Sequence, residues 1–227
     1  MLRQPVITKD GSHTVSVPEM NVTYHSLHGA IQESLHVFID AGFRYTLSNL
    51  NKLDIYIFEM GFGTGLNALL TFIETEKLNI NVHYTAVELF PLQHEETNAL
   101  NYCEQLQRSD LKPVFEQIHQ CEWERDISIT SFFTLHKVKN SLLNFNSSTS
   151  QHLIYFDAFA PSAQPELWTK EVFEKLVRMM HPGGVLITYC SKGDVRRAMQ
   201  AAGFIVEKIP GPPGKREMVR CRKASEG

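Results

Sequence analysis

Residues 58–67 read Phe-Glu-Met-Gly-Phe-Gly-Thr-Gly-Leu-Asn, between a mostly apolar run at 53–57 and a helix-like segment at 68–73. We interpret this stretch as the end of a strand, a glycine turn and the start of a helix. Glycines at alternate positions allow positive φ angles and a close approach of the backbone to a ligand. The following helix presents unpaired N–H groups and its positive dipole end at the turn. The stretch therefore predicts a nucleotide-binding turn in an α/β domain.

The spacing of the glycines narrows the choice of ligand. Gly61, Gly63 and Gly65 form Gly-x-Gly-x-Gly, which differs from the dinucleotide pattern Gly-x-Gly-x-x-Gly. The Lys-Ser/Thr pair that completes a phosphate-binding loop is missing as well. An S-adenosylmethionine-binding loop is the interpretation that remains.

A second apolar strand, at 82–87, ends in the acid Glu88. In nucleotide-binding α/β folds, an acid roughly 20 residues past the glycine turn accepts hydrogen bonds from the ribose hydroxyls. A solvated carboxylate at a strand end would be the simpler explanation for Glu88 alone. Together with the glycine turn, the ribose-binding role is favoured.

A third informative stretch is the buried-type strand at 152–156, which is followed by Asp157 and small or apolar residues. Ligands bind beyond the carboxyl ends of parallel strands, so we expect Asp157 to face the same cleft as the glycine turn. An acid in such apolar company suits an orienting role or a shifted pKa.

The segment before the glycine turn predicts a small appended structure. Short strands at 15–17 and 22–24 are expected to form a hairpin. A helix is expected from Ala30 onward, with Gly42 as its stop.

Two further segments complete the expected sheet. Residues 127–136 suit a hairpin strand or the third strand, and strands at 204–209 and 217–221 flank a Pro/Gly-rich turn that makes them antiparallel. A mostly parallel seven-stranded sheet that ends in such a hairpin is the layout of class I (Rossmann-like) S-adenosylmethionine-dependent methyltransferases. We expect residues 1–50 to form a β/α extension packed on the core, and residues 51–227 to form the methyltransferase domain as one structural unit.

Composition limits the possible function classes. A chain of 227 residues with 43% hydrophobic content can bury the core of one α/β domain. The net charge of −3 does not favour nucleic-acid binding on global grounds. Residues 192–223, however, carry nine basic and three acidic side chains, a local net charge of +6 that suits phosphate contacts.

Metal, redox and membrane functions lack support in the sequence. The four cysteines share no Cys-x-x-Cys spacing, so reduced structural thiols are expected rather than a metal site. His25 and His28 have no acidic or sulfur partner nearby and are interpreted as ordinary surface residues. Without a signal peptide or a membrane-spanning run, a cytoplasmic protein is expected.

Several motifs together resemble one family. They are the glycine turn, Phe-Asp-Ala-Phe-Ala-Pro at 156–161, Glu-Leu-Trp-Thr at 166–169, Pro-Gly-Gly at 182–184, Val-Arg-Arg at 195–197, Ala-Gly-Phe at 202–204 and Lys-Arg-Glu-Met at 215–218. From about Asn21 to its end, the chain resembles the tRNA 5-methylaminomethyl-2-thiouridine methyltransferases. These occur as the N-terminal half of bifunctional MnmC enzymes and as stand-alone MnmD proteins. Because no room remains for the flavin-dependent oxidase half, the stand-alone type is expected.

The resemblance implies methylation of the exocyclic amine of 5-aminomethyl-2-thiouridine at the tRNA wobble position, after other enzymes have installed the aminomethyl group. The sulfonium carbon of the donor is already activated, so the enzyme chiefly aligns a neutral amine and excludes water. Alkylamines are protonated at neutral pH, and Asp157 is the candidate to accept or steer the proton. Because a carboxylate also favours the ammonium form, a purely orienting role stays open.

The expected site therefore has a donor part and a tRNA part, and no metal. The residues expected to bind S-adenosylmethionine are Glu59, Gly61, Phe62, Gly63, Thr64, Gly65, Asn67, Glu88 and Asp157. Those expected to contact the anticodon stem-loop are Lys192, Arg196, Lys215 and Arg216.

The sequence departs from the usual class I pattern at one point and leaves alternatives open. Many such enzymes carry an adenine-binding acid at the end of the strand before the one that leads to Asp157, whereas residues 134–137 here read Thr-Leu-His-Lys. Adenine would then contact backbone groups or Asp126. A class I methyltransferase for an amine of a small molecule or protein is the alternative function, and a non-enzymatic adenosyl-binding scaffold is a third.

Overall fold

The computed structural model describes residues 2–50, 54–147 and 149–225. Residue 53, where the first core strand was predicted to begin, lies outside the described residues. The expected domain boundary at 50/51 falls at the edge of the same gap, and residue 148 of a polar loop is likewise outside.

A small antiparallel sheet opens the chain. Its strands are β1 (Gln4–Ile7), β2 (His13–Val17) and β3 (Val22–Thr23), in the order β1-β2-β3. The predicted hairpin is thus present as β2 and β3. The sequence prediction missed β1, which pairs with β2 over its whole length.

The central sheet has eight strands in the order β10-β11-β9-β8-β4-β5-β7-β6. They are β4 (Asp54–Met60), β5 (Asn81–Val87), β6 (Asp126–Thr130), β7 (Phe133–Val138), β8 (Gln151–Phe156), β9 (Met180–Thr188), β10 (Phe204–Pro210) and β11 (Glu217–Lys223). Strands β7, β5, β4, β8 and β9 are parallel neighbours, and β10 and β11 form the predicted antiparallel hairpin.

The prediction of seven strands was wrong by one. The region 127–136 forms two strands, because the chain reverses after Thr130 and β6 pairs antiparallel with β7 at the sheet edge. Seven strands of the sheet follow the expected layout, and β6 extends it.

Helices cover both faces of the sheet. They are α1 (Ala30–Ser34), α2 (Tyr45–Asn49), α3 (Leu66–Leu78), α4 (His94–Asn98), α5 (Tyr102–Gln105), α6 (Lys112–Gln120), α7 (Lys170–Arg178) and α8 (Gly193–Ala201). A π-helical segment, Leu35–Arg44, joins α1 to α2. None of the helices in the described ranges is long and apolar enough to cross a membrane.

Gly42 does not end a helix, in contrast to the prediction. It lies inside the π-helical segment, where a Cβ atom would be 3.0 Å from Ile187 Cγ2 and 3.3 Å from Tyr155 Cε1. The glycine therefore allows the helix backbone to pack closely on the sheet.

The alternating side chains of β4 show how the sheet divides the core. Ile55 and Ile57 pack with α3 and the π-helical segment, whereas Phe58 and Met60 pack with α7 and α8 on the opposite face. All four are buried. Burying one side chain of this size contributes about 1.5–3 kcal/mol, so the two faces together fix the position of the strand.

The strand order places the glycine turn, Glu88 and Asp157 next to one another. Strand β4 lies between β5 and β8, and the chain reaches these two neighbours by connections on opposite faces of the sheet. A crevice forms at the carboxyl ends of strands at such a switch point. The glycine turn, Glu88 and Asp157 follow β4, β5 and β8 respectively, so all three border this crevice.

Candidate functional site

The glycine turn between β4 and α3 has the backbone that its sequence predicts. Gly61, Gly63 and Gly65 have φ angles of +89°, +48° and +69°. A Cβ atom at Gly61 would lie 2.8 Å from the carbonyl oxygen of Asp157. Both the dihedral angles and the close approach to the β8 segment thus require glycine.

A buried amide links the glycine turn to Asp157. Asn67, in the first turn of α3, donates from Nδ2 to Glu59 Oε1 at 2.9 Å and to Asp157 Oδ2 at 3.0 Å. Glu59 is buried, and desolvation raises its pKa well above the usual range. The amide therefore fixes two carboxyl groups from neighbouring strands at one point.

Asp157 itself has a strongly shifted acidity. Burial raises the pKa of Asp157 to about 7, the Glu33 carboxylate adds to the rise, and the Asn67 amide and the Lys215 ammonium oppose it. Near neutral pH the protonated and ionised forms of this carboxyl group are therefore both populated, which suits a group that accepts or steers a proton.

Glu88 is held at the opposite side of the crevice. Its Oε2 accepts a hydrogen bond from the N–H of Gly63 at 3.1 Å, and its Oε1 accepts one from the N–H of Phe90 at 2.8 Å. The carboxylate is thus tied to the glycine turn and presented at the carboxyl end of β5, as the sequence analysis expected.

These groups surround a first cavity of about 280 Å³. From the predicted donor set, its lining includes Gly61, Phe62, Gly63, Thr64, Asn67, Glu88 and Asp157. Its apolar lining includes Leu89, Phe90, Leu142 and Leu143. An apolar cavity with a few convergent polar groups is the usual form of a small-molecule site. Glu59 and Gly65 are not among the described residues that line this cavity. Glu59 accepts a hydrogen bond from the lining residue Asn67, and Gly65 directly precedes α3.

Asp126, an open candidate for adenine binding, is placed elsewhere. It pairs with His136 Nδ1 at 2.7 Å, and the described residues that line the first cavity do not include it. After the end of β7, residues 141–143 line the cavity instead. Asp126 therefore does not border this cavity, and adenine contact by backbone groups stays the other hypothesis.

A second cavity, of about 240 Å³, lies on the other side of Asp157. The two cavities share five lining residues, Tyr24, His25, Asp157, Ala158 and Phe159. The rings of Tyr24 and Phe159 meet edge to face, with centroids 5.2 Å apart. This aromatic pair and Asp157 therefore border both cavities.

Residues far apart in the sequence complete the second cavity. Glu33 comes from α1, Tyr189 follows β9, and Lys215 lies in the loop before β11. Sequence reasoning missed Tyr24, Glu33 and Tyr189, because no local motif marks them. The docking of the N-terminal extension brings Tyr24 and Glu33 to Asp157, whereas Tyr189 comes there from the end of β9, the parallel neighbour of β8.

His25 is also placed differently from expectation. It is buried, with Nδ1 3.1 Å from the Thr14 hydroxyl and Nε2 3.4 Å from the Thr64 hydroxyl. Burial lowers its pKa to about 4, so the imidazole is neutral at pH 7. The interpretation of His25 as an ordinary surface residue was therefore wrong, and the N-terminal extension reaches the glycine turn through it.

The four basic residues expected to contact tRNA have different surroundings. Lys192 and Arg216 are exposed, and Arg196 is half-buried, with its Nε donating to the Ser191 carbonyl at 3.2 Å. Lys215 pairs with Glu33 at 2.8 Å and so points into the second cavity. The other three leave basic charge on the outer surface around α8 and the closing hairpin.

Comparison with known proteins identifies the class. Residues 98–224 match the family described as S-adenosyl-L-methionine-dependent methyltransferase. The match covers more than half of the chain, which therefore belongs to this family, and S-adenosylmethionine is its methyl donor.

The chain is also similar to individual curated proteins. The chain is 30% identical over 236 residues to the tRNA 5-methylaminomethyl-2-thiouridine biosynthesis bifunctional protein MnmC of Cupriavidus metallidurans, covering 97% of this chain and 34% of the relative. Identity to the protein of that name from Methylobacillus flagellatus is 31% over 205 residues, covering 86% and 32%. The chain thus spans about a third of the length of the curated relatives it matches.

Solved structures confirm the fold. The crystal structure of MNMC2 from Aquifex aeolicus aligns with a TM-score of 0.78 at 21% identity, over 99% of this chain and 72% of that chain. Spermidine synthase from Thermotoga maritima aligns with a TM-score of 0.57 at 11% identity, over 99% and 69%. The class I methyltransferase fold expected from the sequence is therefore confirmed.

The first cavity fits the donor on independent grounds. Within the described residues, Glu59 Oε2 and Asn67 Oδ1 are buried without a hydrogen-bond partner. Buried polar atoms are normally paired, and the Asn67 oxygen, which belongs to a lining residue of the cavity, is an acceptor that suits the ammonium group of a methionine moiety. The positive-φ glycines leave backbone room beside them, and Glu88 stands where ribose hydroxyls would be received.

Proposed function

We propose that this chain transfers a methyl group from S-adenosylmethionine to the primary amine of 5-aminomethyl-2-thiouridine at the wobble position of tRNA. The names of its MnmC relatives and the motif resemblance support this substrate. The observation that carries the proposal is the position of Asp157, a carboxyl group in the wall between two cavities. Such a wall residue can serve a donor on one side and an acceptor on the other.

In this proposal the first cavity binds the donor. Gly61, Phe62, Gly63, Thr64 and Gly65 form the backbone cradle for its methionine part. Asn67, which Glu59 orients, receives the amino group, and Glu88 receives the ribose hydroxyls. The bound donor supplies an activated methyl group on a sulfonium, so the protein needs only to align the acceptor and remove a proton.

Asp157 is proposed to hold the acceptor amine. The amine enters as an ammonium, loses one proton to Asp157, and the freed lone pair forms the N–C bond as the S–C bond breaks. A carboxyl group with a pKa of about 7 can accept this proton at neutral pH. The aromatic pair of Tyr24 and Phe159, which lines both cavities, would exclude water from the reaction path.

The tRNA would lie over the basic surface beside the second cavity. We propose that Lys192, Arg196 and Arg216 contact phosphates, and that an unstacked wobble base inserts its C5 substituent into the second cavity. Phosphate contacts release counterions, so tRNA binding should weaken with salt. The sequence predicted that Lys215 contacts tRNA together with these three residues, but its ion pair with Glu33 suggests a different role.

Labelled S-adenosylmethionine and two tRNA preparations test the proposal. One tRNA carries the 5-aminomethyl group and the other, from cells unable to install it, does not. We expect label only in the first, on the wobble uridine. Equal label in both tRNAs would contradict the assigned acceptor. No label in either, but label on small amines, would favour the alternative of another amine substrate.

A further inference from the structure

The second cavity contains a cation that belongs to the chain itself. The Nζ atom of Lys215 lies 2.8 Å from Glu33 Oε1 and 3.9 Å from the centroid of the Tyr189 ring. The ammonium thus has a carboxylate on one side and an aromatic face on the other. This pair of contacts is the usual way in which proteins bind alkylammonium groups.

The carboxylate and the ring are each fixed by contacts independent of Lys215. Glu33 is buried, and its Oε2 accepts a hydrogen bond from the N–H of Ser26 at 2.7 Å. The Tyr189 hydroxyl donates to the Ala158 carbonyl at 2.8 Å. Removing the lysine would therefore leave an oriented anion beside an oriented aromatic face, which is a preformed site for a cation.

The Lys215 side chain is less constrained than its receptor. The loop around it is anchored, since Gly214 packs so closely on His28 that a Cβ atom would clash with the ring, and the N–H of Lys215 donates to the Pro212 carbonyl at 2.9 Å. The side chain itself is about one-third exposed. A flexible four-carbon stem can leave the cavity by rotamer changes while the anchored loop stays in place.

We propose that Glu33 and Tyr189 form a binding site for a primary ammonium group on an unbranched methylene arm, and that Lys215 occupies this site as an internal mimic which such a ligand displaces. The ammonium site stands on the geometry alone. Its identity as the amine site of the wobble substrate rests on the proposed function. The site and Asp157 line the same cavity, so a ligand ammonium there would share that cavity with the proposed proton acceptor.

This assignment differs from a phosphate-contacting role for Lys215. A lysine that binds phosphate needs its charge free, whereas the charge of Lys215 is already neutralised by Glu33. The two roles predict opposite effects of removing the side chain. Loss of a phosphate contact weakens tRNA binding, and loss of a competing internal cation strengthens binding of the aminomethyl group.

The binding test uses Lys215→Ala and n-propylammonium chloride, which supplies the three carbons and the nitrogen that the substitution removes. We expect n-propylammonium to bind Lys215→Ala at least about tenfold more tightly than the wild type, measured by calorimetry or thermal shift. The double variant Glu33→Gln/Lys215→Ala should lose this gain. Lys208→Ala removes a lysine from an exposed pair with Glu217 on the same hairpin and should behave as wild type.

Equal binding to all four proteins would overturn the proposal. Melting curves and donor affinity show whether each variant is folded, and the double variant removes the carboxylate that Lys215→Ala alone leaves unpaired. Because this binding test involves no methyl transfer, it can succeed even if tRNA is not the substrate. Failure of the labelling experiment and failure of the ammonium site are therefore separate results.

A kinetic test addresses the link to the substrate. With aminomethyl-bearing tRNA, Lys215→Ala should lower KM relative to the wild type, and tRNA lacking the aminomethyl group should bind both proteins equally well. A raised KM together with weaker binding of both tRNAs would show a phosphate contact and contradict the displacement of Lys215.

Discussion

The two cavities that meet at Asp157 are constructed differently. The first takes its polar groups from the carboxyl ends of β4, β5 and β8, each within a short sequence motif. The second combines Glu33 near the start of the chain with Tyr189 and Lys215 near its end. The parallel sheet thus provides the proposed donor side, whereas the proposed acceptor side combines Tyr189, at the end of β9, with segments added at both ends of the core.

Substitutions in the two regions should therefore have two different kinds of effect. Substitutions in the first cavity should change the affinity for the methyl donor, and substitutions at the wall should change the transfer step itself. Four predictions test the separation, ordered by the size of the expected effect.

The largest effect is expected from Asp157→Asn. The amide still offers an oxygen to the Asn67 donor but cannot accept a proton, so the single-turnover rate should fall about 100-fold or more while donor affinity stays unchanged. Asp126→Asn is the matched control, because Asp126 lies outside both cavities and pairs with His136. A transfer rate within about threefold of wild type would remove Asp157 from the chemistry.

The next effect is expected from Gly61→Ala. The new Cβ atom would clash with the Asp157 carbonyl at 2.8 Å in a backbone with φ of +89°. Strain of about 1–3 kcal/mol should reduce stability, and displacement of the turn should weaken donor binding about tenfold or more, measured by calorimetry.

Gly203→Ala is the control for Gly61→Ala, because it introduces backbone strain without a Cβ clash. Gly203 also has a positive φ, +96°, but a Cβ atom there would meet nothing within 4 Å. This control should lose stability and keep its donor affinity. Equal loss of donor affinity in both variants would show that the glycine turn matters only for folding.

The pH dependence of the transfer step should show the shifted pKa of Asp157. Its pKa is raised to about 7, so the carboxyl group is protonated below this pH and cannot accept the ammonium proton. The single-turnover rate should therefore rise about tenfold per pH unit up to about pH 7. The transfer rate of Asp157→Asn should lack this pH dependence. If the same pH dependence persists in the variant, the titrating group is not Asp157.

The smallest effect is expected from Glu88→Gln. The carboxylate accepts backbone N–H bonds from Gly63 and Phe90, and an amide can accept only one of them well. Donor affinity should fall about three- to tenfold, with an unchanged transfer rate at saturation. Glu124→Gln, whose carboxylate accepts the N–H of Lys139 outside the cavities, is the control. A reduced saturated rate would contradict a role in binding alone.

The residues around the first cavity, the proposed donor side, could be predicted from the sequence because their signals are local. The glycine turn, Glu88 and Asp157 each follow an apolar strand, and parallel strands bring their carboxyl ends together. The structure places them around one cavity as expected. The missed strand β6 has a local cause too, since a tight reversal after Thr130 split a segment that was interpreted as one strand.

The acceptor side could not be predicted because its contacts are long-range. The pair between Glu33 and Lys215 joins residues 182 positions apart. Similarly, His25 has no informative neighbours in sequence but is buried against Thr14 and Thr64 in the folded chain. Such residues carry a signal only once the docking of the two chain ends is known.

The most direct test of the central claim is a crystal structure with S-adenosylhomocysteine and an aminomethyl-bearing anticodon stem-loop. We expect the adenosyl group between the glycine turn and Glu88 in the first cavity. The amine should lie in the second cavity, within hydrogen-bond distance of Asp157, with Lys215 displaced from Glu33. An adenosyl group outside the first cavity, or an amine that does not reach Asp157, would contradict the account.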